Sequence, residues 1–292
     1  SQENGTFRLV TTEDGVVNTQ ITSQLPGYYQ PNPAVFQSDF TGFGNVDVAN
    51  FCIEPTATIN DLNISAYPMF NAPRPGFNTS YRLVYKNVGT TQLSGSVIFG
   101  FDGSKLNFLN ATEPISSQTA NALTFNFENL NPFEVKTIDI EFNVFPPPTT
   151  NIDDVLVTTV TINPIPGDFT EADNVLRFEE MVVGSYDPND MMVLQGEEIF
   201  IDEATNYLNY LIRFQNTGTA SAINVNVTTV LDEKLDWTTM QLESLSHSAT
   251  VEITDGSNVN FVFNNINLPD STSDEEGSHG FIAFKIKPKT NV

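Results

Sequence analysis

Two stretches of this chain are the same strand and turn written twice. Tyr81-Arg82-Leu83-Val84-Tyr85-Lys86-Asn87-Val88-Gly89-Thr90 matches Tyr210-Leu211-Ile212-Arg213-Phe214-Gln215-Asn216-Thr217-Gly218-Thr219 at an offset of 129 residues (210 − 81). The alignment runs without a gap to Lys105-Leu106-Asn107-Phe108 against Lys234-Leu235-Asp236-Trp237. Further on, Phe125-Asn126-Phe127-Glu128-Asn129-Leu130-Asn131 matches Phe261-Val262-Phe263-Asn264-Asn265-Ile266-Asn267. Two copies of one module are therefore present. In each copy Asn-x-Gly-Thr follows a strand, where a glycine is expected to supply the positive φ of a turn.

The strands inside each copy follow from period-2 alternation. Ile138, Ile140, Phe142 and Val144 alternate with Asp139, Glu141 and Asn143; Leu123, Phe125 and Phe127 alternate with Thr124, Asn126 and Glu128. Residues 223–227, Ile-Asn-Val-Asn-Val, swap faces at every step. Such patterns place one face on a core and the other in water, as in antiparallel sandwich sheets. Tyr81, Leu83 and Tyr85, like Tyr210, Ile212 and Phe214, share one strand face and are expected in the core. With 39% hydrophobic residues, 23 Phe and only 16% charged residues, the chain is not a disordered polymer, and the expected class is all-β.

The repeat sets the organisation. Residues 1–53 hold strand-like pieces (6–12, 16–21 and 46–53) and look like the end of a small β-sandwich domain. The first module occupies 54–183. The turn-rich stretch from Gly184 to Asp190 leads into a second module over 184–292.

Charge and composition narrow the function. A net charge of −24 repels phosphate backbones and anionic lipid, so nucleic acid is not an expected partner. No run of about 18 apolar residues is present, so no membrane insertion is expected. The single cysteine, Cys52, cannot form an intrachain disulfide and is expected buried in a strand. The N-terminal Ser1-Gln2-Glu3-Asn4 does not read as a leader, which suggests a processed protein or an excised fragment.

The second module resembles a domain found near the C-terminal end of large secreted surface proteins of Bacteroidota, related to the conserved repeat domains of bacterial cell-wall proteins. The residues that carry the resemblance run in order along the chain. They are Val183-Gly184-Ser185-Tyr186-Asp187-Pro188-Asn189-Asp190, Leu208-Asn209-Tyr210 with 212–219, Leu235-Asp236-Trp237, Leu268-Pro269-Asp270-Ser271, Ser278-His279-Gly280-Phe281 and Phe284-Lys285-Ile286-Lys287-Pro288-Lys289. The first module is similar to the immunoglobulin-like repeat that usually precedes it. Residues 1–53, ending Phe43-Gly44-Asn45-Val46-Asp47-Val48, resemble the end of a prealbumin-like stalk domain of the collagen-adhesin B type. The resemblance implies tandem immunoglobulin-like antiparallel β-sandwiches, a secreted or cell-surface location reached by the type IX route, and a role in adhesion or display; members of the family continue with another strand or two past the position of Val292, so the second module is expected to lack its last strands. It also implies as partners the other domains of the parent protein, the secretion machinery or a surface glycan.

Catalytic groups are scarce. Only His247 and His279 offer a proton shuttle near neutral pH, neither accompanied by a recognisable nucleophile elbow, and both are expected in structural or solvent-facing roles. Zinc would need clustered Cys and His, which the chain lacks. The constellation most suggestive of chemistry is calcium at the module junction: Asp187, Asn189 and Asp190 lie in four residues, with Asp168, Glu171 and Asp173 from the preceding loop able to complete an oxygen shell. A turn in which Asp and Asn cap their own backbone explains the same residues. The expected function is a non-catalytic stalk, adhesion or display region. The alternative is a carbohydrate-binding sandwich using Tyr28, Tyr29 and Trp237, although the alignment of Trp237 with Phe108 argues for core packing.

Overall fold

A computed structural model describes residues 5–12, 14–22, 25–70, 72–184, 189–196, 198–199 and 205–289. The chain divides into two compact units, Ser1–Ile59 and Asn60–Val292. In the first, β1 (Gly15–Thr19) pairs antiparallel with β3 (Phe36–Phe40), and β2 (Tyr29–Asn32) with β4 (Cys52–Pro55). Residues 6–12, expected as a strand, form none. The reason is that extended propensity yields a strand only where a partner edge accepts its hydrogen bonds. Cys52 lies in a strand as expected, but its side chain is exposed.

The second unit contains two sandwiches of matching topology. The first is built from β5 (Leu62–Met69), β6 (Asn78–Asn87), β7 (Leu93–Gly100), β8 (Leu106–Ala111), β9 (Ser117–Gln118), β10 (Ala122–Leu130), β11 (Val135–Val144), β12 (Val155–Asn163) and β13 (Val175–Met181). Its sheets run β5-β6-β11-β8 and β13-β12-β7-β10-β9. The second is built from β14 (Asp190–Val193), β15 (Leu208–Gln215), β16 (Val225–Val230), β17 (Leu235–Leu245), β18 (Thr250–Thr254), β19 (Asn258–Phe263) and β20 (His279–Pro288), in sheets β14-β15-β20-β17 and β16-β19-β18. Every strand of the second sandwich has a counterpart at the same place in the first. The counterparts of β12 and β13 alone are missing among the described residues. The chain is thus all-β, in tandem immunoglobulin-like antiparallel sandwiches.

The repeated Asn-x-Gly-Thr turn shows why the motif recurs. Asn87 Nδ2 donates to the carbonyls of Thr91 (2.7 Å) and Leu130 (2.9 Å), while its Oδ1 accepts from Gly89 N (3.0 Å). Asn216 does the same with Ala220 (2.9 Å), Leu268 (3.0 Å) and Gly218 N (3.0 Å). The asparagine therefore ties the strand end to the far side of the sandwich. The expected positive φ is not what the glycine provides, since neither Gly89 nor Gly218 has one.

Pairing also corrects the gap-free alignment. Val97 lies opposite Phe125, and Val227 opposite the matching Phe261, so the local offset is 130 (227 − 97). An offset of 129 would set Asn226 at the Val97 position. A one-residue slip turns a strand over, so the apolar residues choose the register.

The outer faces of the two inner sheets pack on each other. All of β5 is buried, as are the residues of β20 from His279 to Ile286. Leu62, Ile64 and Ala66 fill the first core, whereas Asn63, Ser65 and Tyr67 on the opposite face meet residues of the second sandwich. Likewise Ile282, Phe284 and Ile286 belong to the second core, while Phe281 and Ala283 join the first. Phe281 packs edge-on against Phe70 (6.1 Å) and lies beneath the Arg82 guanidinium (5.3 Å). On the outer faces of the strands that carry the repeat, Asn209, Leu211 and Arg213 of β15 and Val84 of β6 are buried, while Ser80, Arg82 and Lys86 are half-buried, because the two sandwiches cover each other there. No helix among the described residues is long and apolar enough to cross a membrane.

Candidate functional site

The strongest convergence of ligand-type side chains lies where the start of β5 meets the β12–β13 connection. One carboxylate oxygen from each of Asp61, Asp168 and Asp173 falls within 4.8 Å of the others. Asp61 immediately precedes β5; its carbonyl accepts from Val88 N (2.9 Å) and Gly89 N (3.0 Å), and its Oδ2 accepts from Thr170 Oγ1 (3.3 Å). Asp168 caps two segments at once, with Oδ2 accepting from Leu62 N (2.7 Å) and Oδ1 from Thr170 N (3.0 Å). Asp173 belongs to the 3-10 turn Glu171–Asn174, and its Oδ1 is buried and accepts no hydrogen bond among the described residues.

Electrostatics follow from that crowding. Burial pushes the Asp173 carboxyl up to about 7, the charges of Asp61 and Asp168 add to the rise, and Asn63 and Lys285 oppose it. Three carboxylates this close cannot all keep their charge without cost unless a proton or a cation is shared among them. The oxygen-only donor set suits a hard cation.

The sequence-predicted ligands separate. Asp168 and Asp173 come together, with Asp61 as a third member that sequence reasoning missed. Asp190 instead forms a two-pronged ion pair with Arg213, Nε lying 2.8 Å from Oδ1 and Nη2 bonding Oδ2. Asn189 Oδ1 accepts from Gln215 N (3.3 Å). Asp187 lies outside the described residues. Asp61 left no sequence signal because its distance from Asp168, 107 residues (168 − 61), closes only through the sheet order.

Beside this cluster runs a buried polar network between the sandwiches. Glu243, whose side chain is wholly covered, pairs with Lys86 (2.8 Å) and Lys285 (3.2 Å) and accepts from Ser65 Oγ (3.3 Å). Lys285 Nζ donates to Asn63 Oδ1 (3.3 Å), which links the network to the neighbourhood of Asp173. Burial acts to raise the Glu243 carboxyl, but the two ammonium groups outweigh it and hold it below the usual range. Burial lowers Lys285, against the pull of Glu243. Glu180 on β13 is pushed up to about 7 by burial, opposed by the Tyr81 hydroxyl and the Arg213 charge.

The two histidines sit in different surroundings. His279 is buried against Phe70 (ring centroids 6.1 Å), with Nε2 3.6 Å from a Glu275 carboxylate oxygen, and burial lowers its pKa. His247 is half-buried, its Nδ1 2.9 Å from Ser246 Oγ. Among the aromatics weighed for glycan binding, Tyr28 and Tyr29 are buried, whereas Trp237 is 44% exposed, contrary to its expected core position. The cause is local: β17 loses register with β20 between Asp236 and Gln241, and Trp237 lies instead over Gly256, where a Cβ would come within 2.8 Å of its Nε1.

Comparison with known proteins adds the following. Residues 187–292 match a family model described as a domain of unknown function (DUF7619). No curated protein matches the chain. Among solved structures, a CARDB domain from Pyrococcus furiosus in complex with di-metal ions is 18% identical and covers 44% of this chain and 97% of its own, with a TM-score of 0.32. The type II cohesin dyad from the adaptor ScaA scaffoldin of Acetivibrio cellulolyticus is 10% identical and covers 81% and 86%, with a TM-score of 0.27. The Enterococcus faecalis MSCRAMM ACE is 11% identical and covers 80% and 83%, with a TM-score of 0.24.

Proposed function

We propose that this chain is a non-catalytic stalk or display region of a secreted bacterial surface protein, exported by the type IX route. The observation that carries the reading is the buried junction: sheet packs on sheet, with Lys86, Glu243 and Lys285 locked between. Two sandwiches joined in this way act as one stiff spacer, and their buried ionisable groups serve the joint. The series of motifs between Val183 and Lys289 supports the export route and the surface location. The mechanical part is tested by calorimetry: residues 60–292 should unfold in one transition, and two independent transitions would remove the rigid-spacer reading. The location is tested with an antibody to the loop at 270–276. It should label intact source cells, and labelling only after lysis would contradict surface display.

We further infer that Asp61, Asp168 and Asp173 hold calcium, in place of the set centred on Asp187 to Asp190. A cation there would neutralise the raised Asp173 carboxyl and clamp the β12–β13 connection to β5. Sites of this extracellular kind bind near about 10⁻⁴–10⁻³ M, so a few millimolar calcium should stabilise the fold by about 1–2 kcal/mol over chelator. An unchanged melting midpoint would refute the assignment.

A further inference from the structure

Three polar side chains from three different strands meet in the dry joint between the sandwiches: Asn63 of β5, Glu243 of β17 and Lys285 of β20. Asn63 is 5% exposed, and the side chains of Lys285 and Glu243 are 6% and 0% exposed. Lys285 Nζ lies 3.2 Å from Glu243 Oε1 and donates to Asn63 Oδ1 at 3.3 Å. The amide carbon of Asn63 is bonded to that oxygen at about 1.2 Å. An amine, a carboxamide carbon and a carboxylate are therefore held together where water is excluded.

Strand register explains how the carboxylate comes to be there. Leu242 pairs with Phe284 and Ser244 with Ala283, which leaves Glu243 as the extra residue of a bulge in β17. A bulge re-aims side chains. This one turns two consecutive residues toward the first sandwich, where Glu243 meets Ser65 (3.3 Å) and Ser244 meets Arg82 (3.4 Å). The module frame itself does not require the lysine. Ser80 pairs with Glu141 as Asn209 pairs with Lys285, so the matching residue of the first sandwich is a glutamate, which bonds Asn78 (2.9 Å) and Asn110 (2.6 Å) at the surface. Nor does the ion pair require it, since Lys86 already lies 2.8 Å from Glu243. Lys285 brings a second ammonium into the same space and directs it at a carboxamide. Burial works against its charge, and the neutral amine is the form that attacks a carbonyl carbon.

We propose that Lys285 and Asn63 condense to an amide, so that a covalent bond ties β20 of the second sandwich to β5 of the first. Within the ion pair a proton passes from Nζ to Glu243. The freed lone pair of Nζ attacks Cγ of Asn63; the Nζ–Cγ bond forms and the Cγ–Nδ2 bond breaks. The two protons that Nζ loses leave with Nδ2, one of them carried by Glu243. Ammonium therefore departs in place of the lysine ammonium, Glu243 ends as the carboxylate it began as, and no oxidant or further reactant is needed. Proximity in a fixed, dry geometry supplies the rate. Lys86 remains beside Glu243 as its counter-charge once Lys285 is neutral. This is a single event of the chain upon itself, and it goes beyond the spacer reading, which requires only that the joint be buried.

The test is the intact mass of the folded full chain, measured after denaturation. It should fall below the sequence mass by one ammonia. Tryptic digestion should yield a branched peptide that joins the segment holding Asn63 to the segment holding Lys285, with no cleavage after Lys285. Lys285→Arg, which keeps a charge beside Glu243, and Asn63→Ala should each show their full sequence mass. Glu243→Gln should do the same while circular dichroism shows it folded. The native chain should also melt above Lys285→Arg, because the link closes a loop spanning 222 residues. A native chain of full sequence mass would overturn the proposal, whatever the variants do. So would an ammonia still missing in Lys285→Arg, or one traced to a succinimide elsewhere and not to the branched peptide. A bond that still forms in Glu243→Gln would overturn the part given to that carboxylate.

Discussion

In the first sandwich Phe99, on a strand flanked by β12, is fully buried against Tyr81 and Phe142; at the same place in the second, Thr229 lies half-exposed on a strand paired, among the described strands, with β19 alone. The contrast extends inward. Leu83 and Tyr85 are 0% and 4% exposed, and their repeats Ile212 and Phe214 are 8% and 7%. Among the described residues one frame of strands thus surrounds two cores, the first of them flanked by the further pair β12 and β13. The larger, better sealed core would fix the frame. The smaller one leans on it through the face shared by β5, β6, β15 and β20.

Substitutions at matched positions put that contrast to the sharpest test. Phe99→Ala should destabilise the chain by about 4 kcal/mol, and Thr229→Ala by less than about 0.5, as read from urea unfolding. Similar losses would mean that Thr229 is covered in solution as Phe99 is. Next in size is the joint between the sandwiches. Glu243→Gln leaves two buried ammonium groups without a counter-charge and should cost about 3 kcal/mol, whereas Glu179→Gln, which breaks an exposed pair with Arg177, should cost almost nothing. If the two sandwiches instead melt apart in the Glu243 variant with little total loss, the joint is an accessory.

Glu180 probes the same joint through pH. Its carboxyl is raised from 4.5 to about 7, so across that window the folded state retains a proton that the unfolded state has lost. Stability from this group is therefore highest at low pH and falls as pH rises toward 7. Glu180→Gln should melt above the native chain at pH 8, by the equivalent of about 2 kcal/mol, and no higher at pH 4. The smallest effect is expected at the acidic cluster, where Asp173→Asn should raise stability by about 1 kcal/mol in chelator at pH 8 and abolish the response to calcium. A variant that keeps the full calcium shift would place the ion elsewhere.

Much of the second unit was legible in residue order because local rules govern it. Period-2 alternation located β10 and β11, and the aromatic face of Tyr81, Leu83 and Tyr85 lies in the core as expected. The candidate site was half legible. Asp168 and Asp173 were in view, but Asp61 was not, since nothing near it in the chain marks its approach to the β12–β13 connection. Trp237 was misplaced because alignment to Phe108 could not register the slip between Asp236 and Gln241.

What residue order determined by itself was the strand chemistry, the doubling of the module and the recurrence of Asn-x-Gly-Thr after a strand. Each rests on contacts within a strand pair or a turn, where side-chain period and hydrogen-bond reach are local. The tertiary structure alone decided which polar faces stay dry and which carboxylates meet. Those outcomes depend on two sheets meeting face to face. Whether Lys285 faces water or Glu243 is set by what packs above it, and no spacing along the chain encodes that.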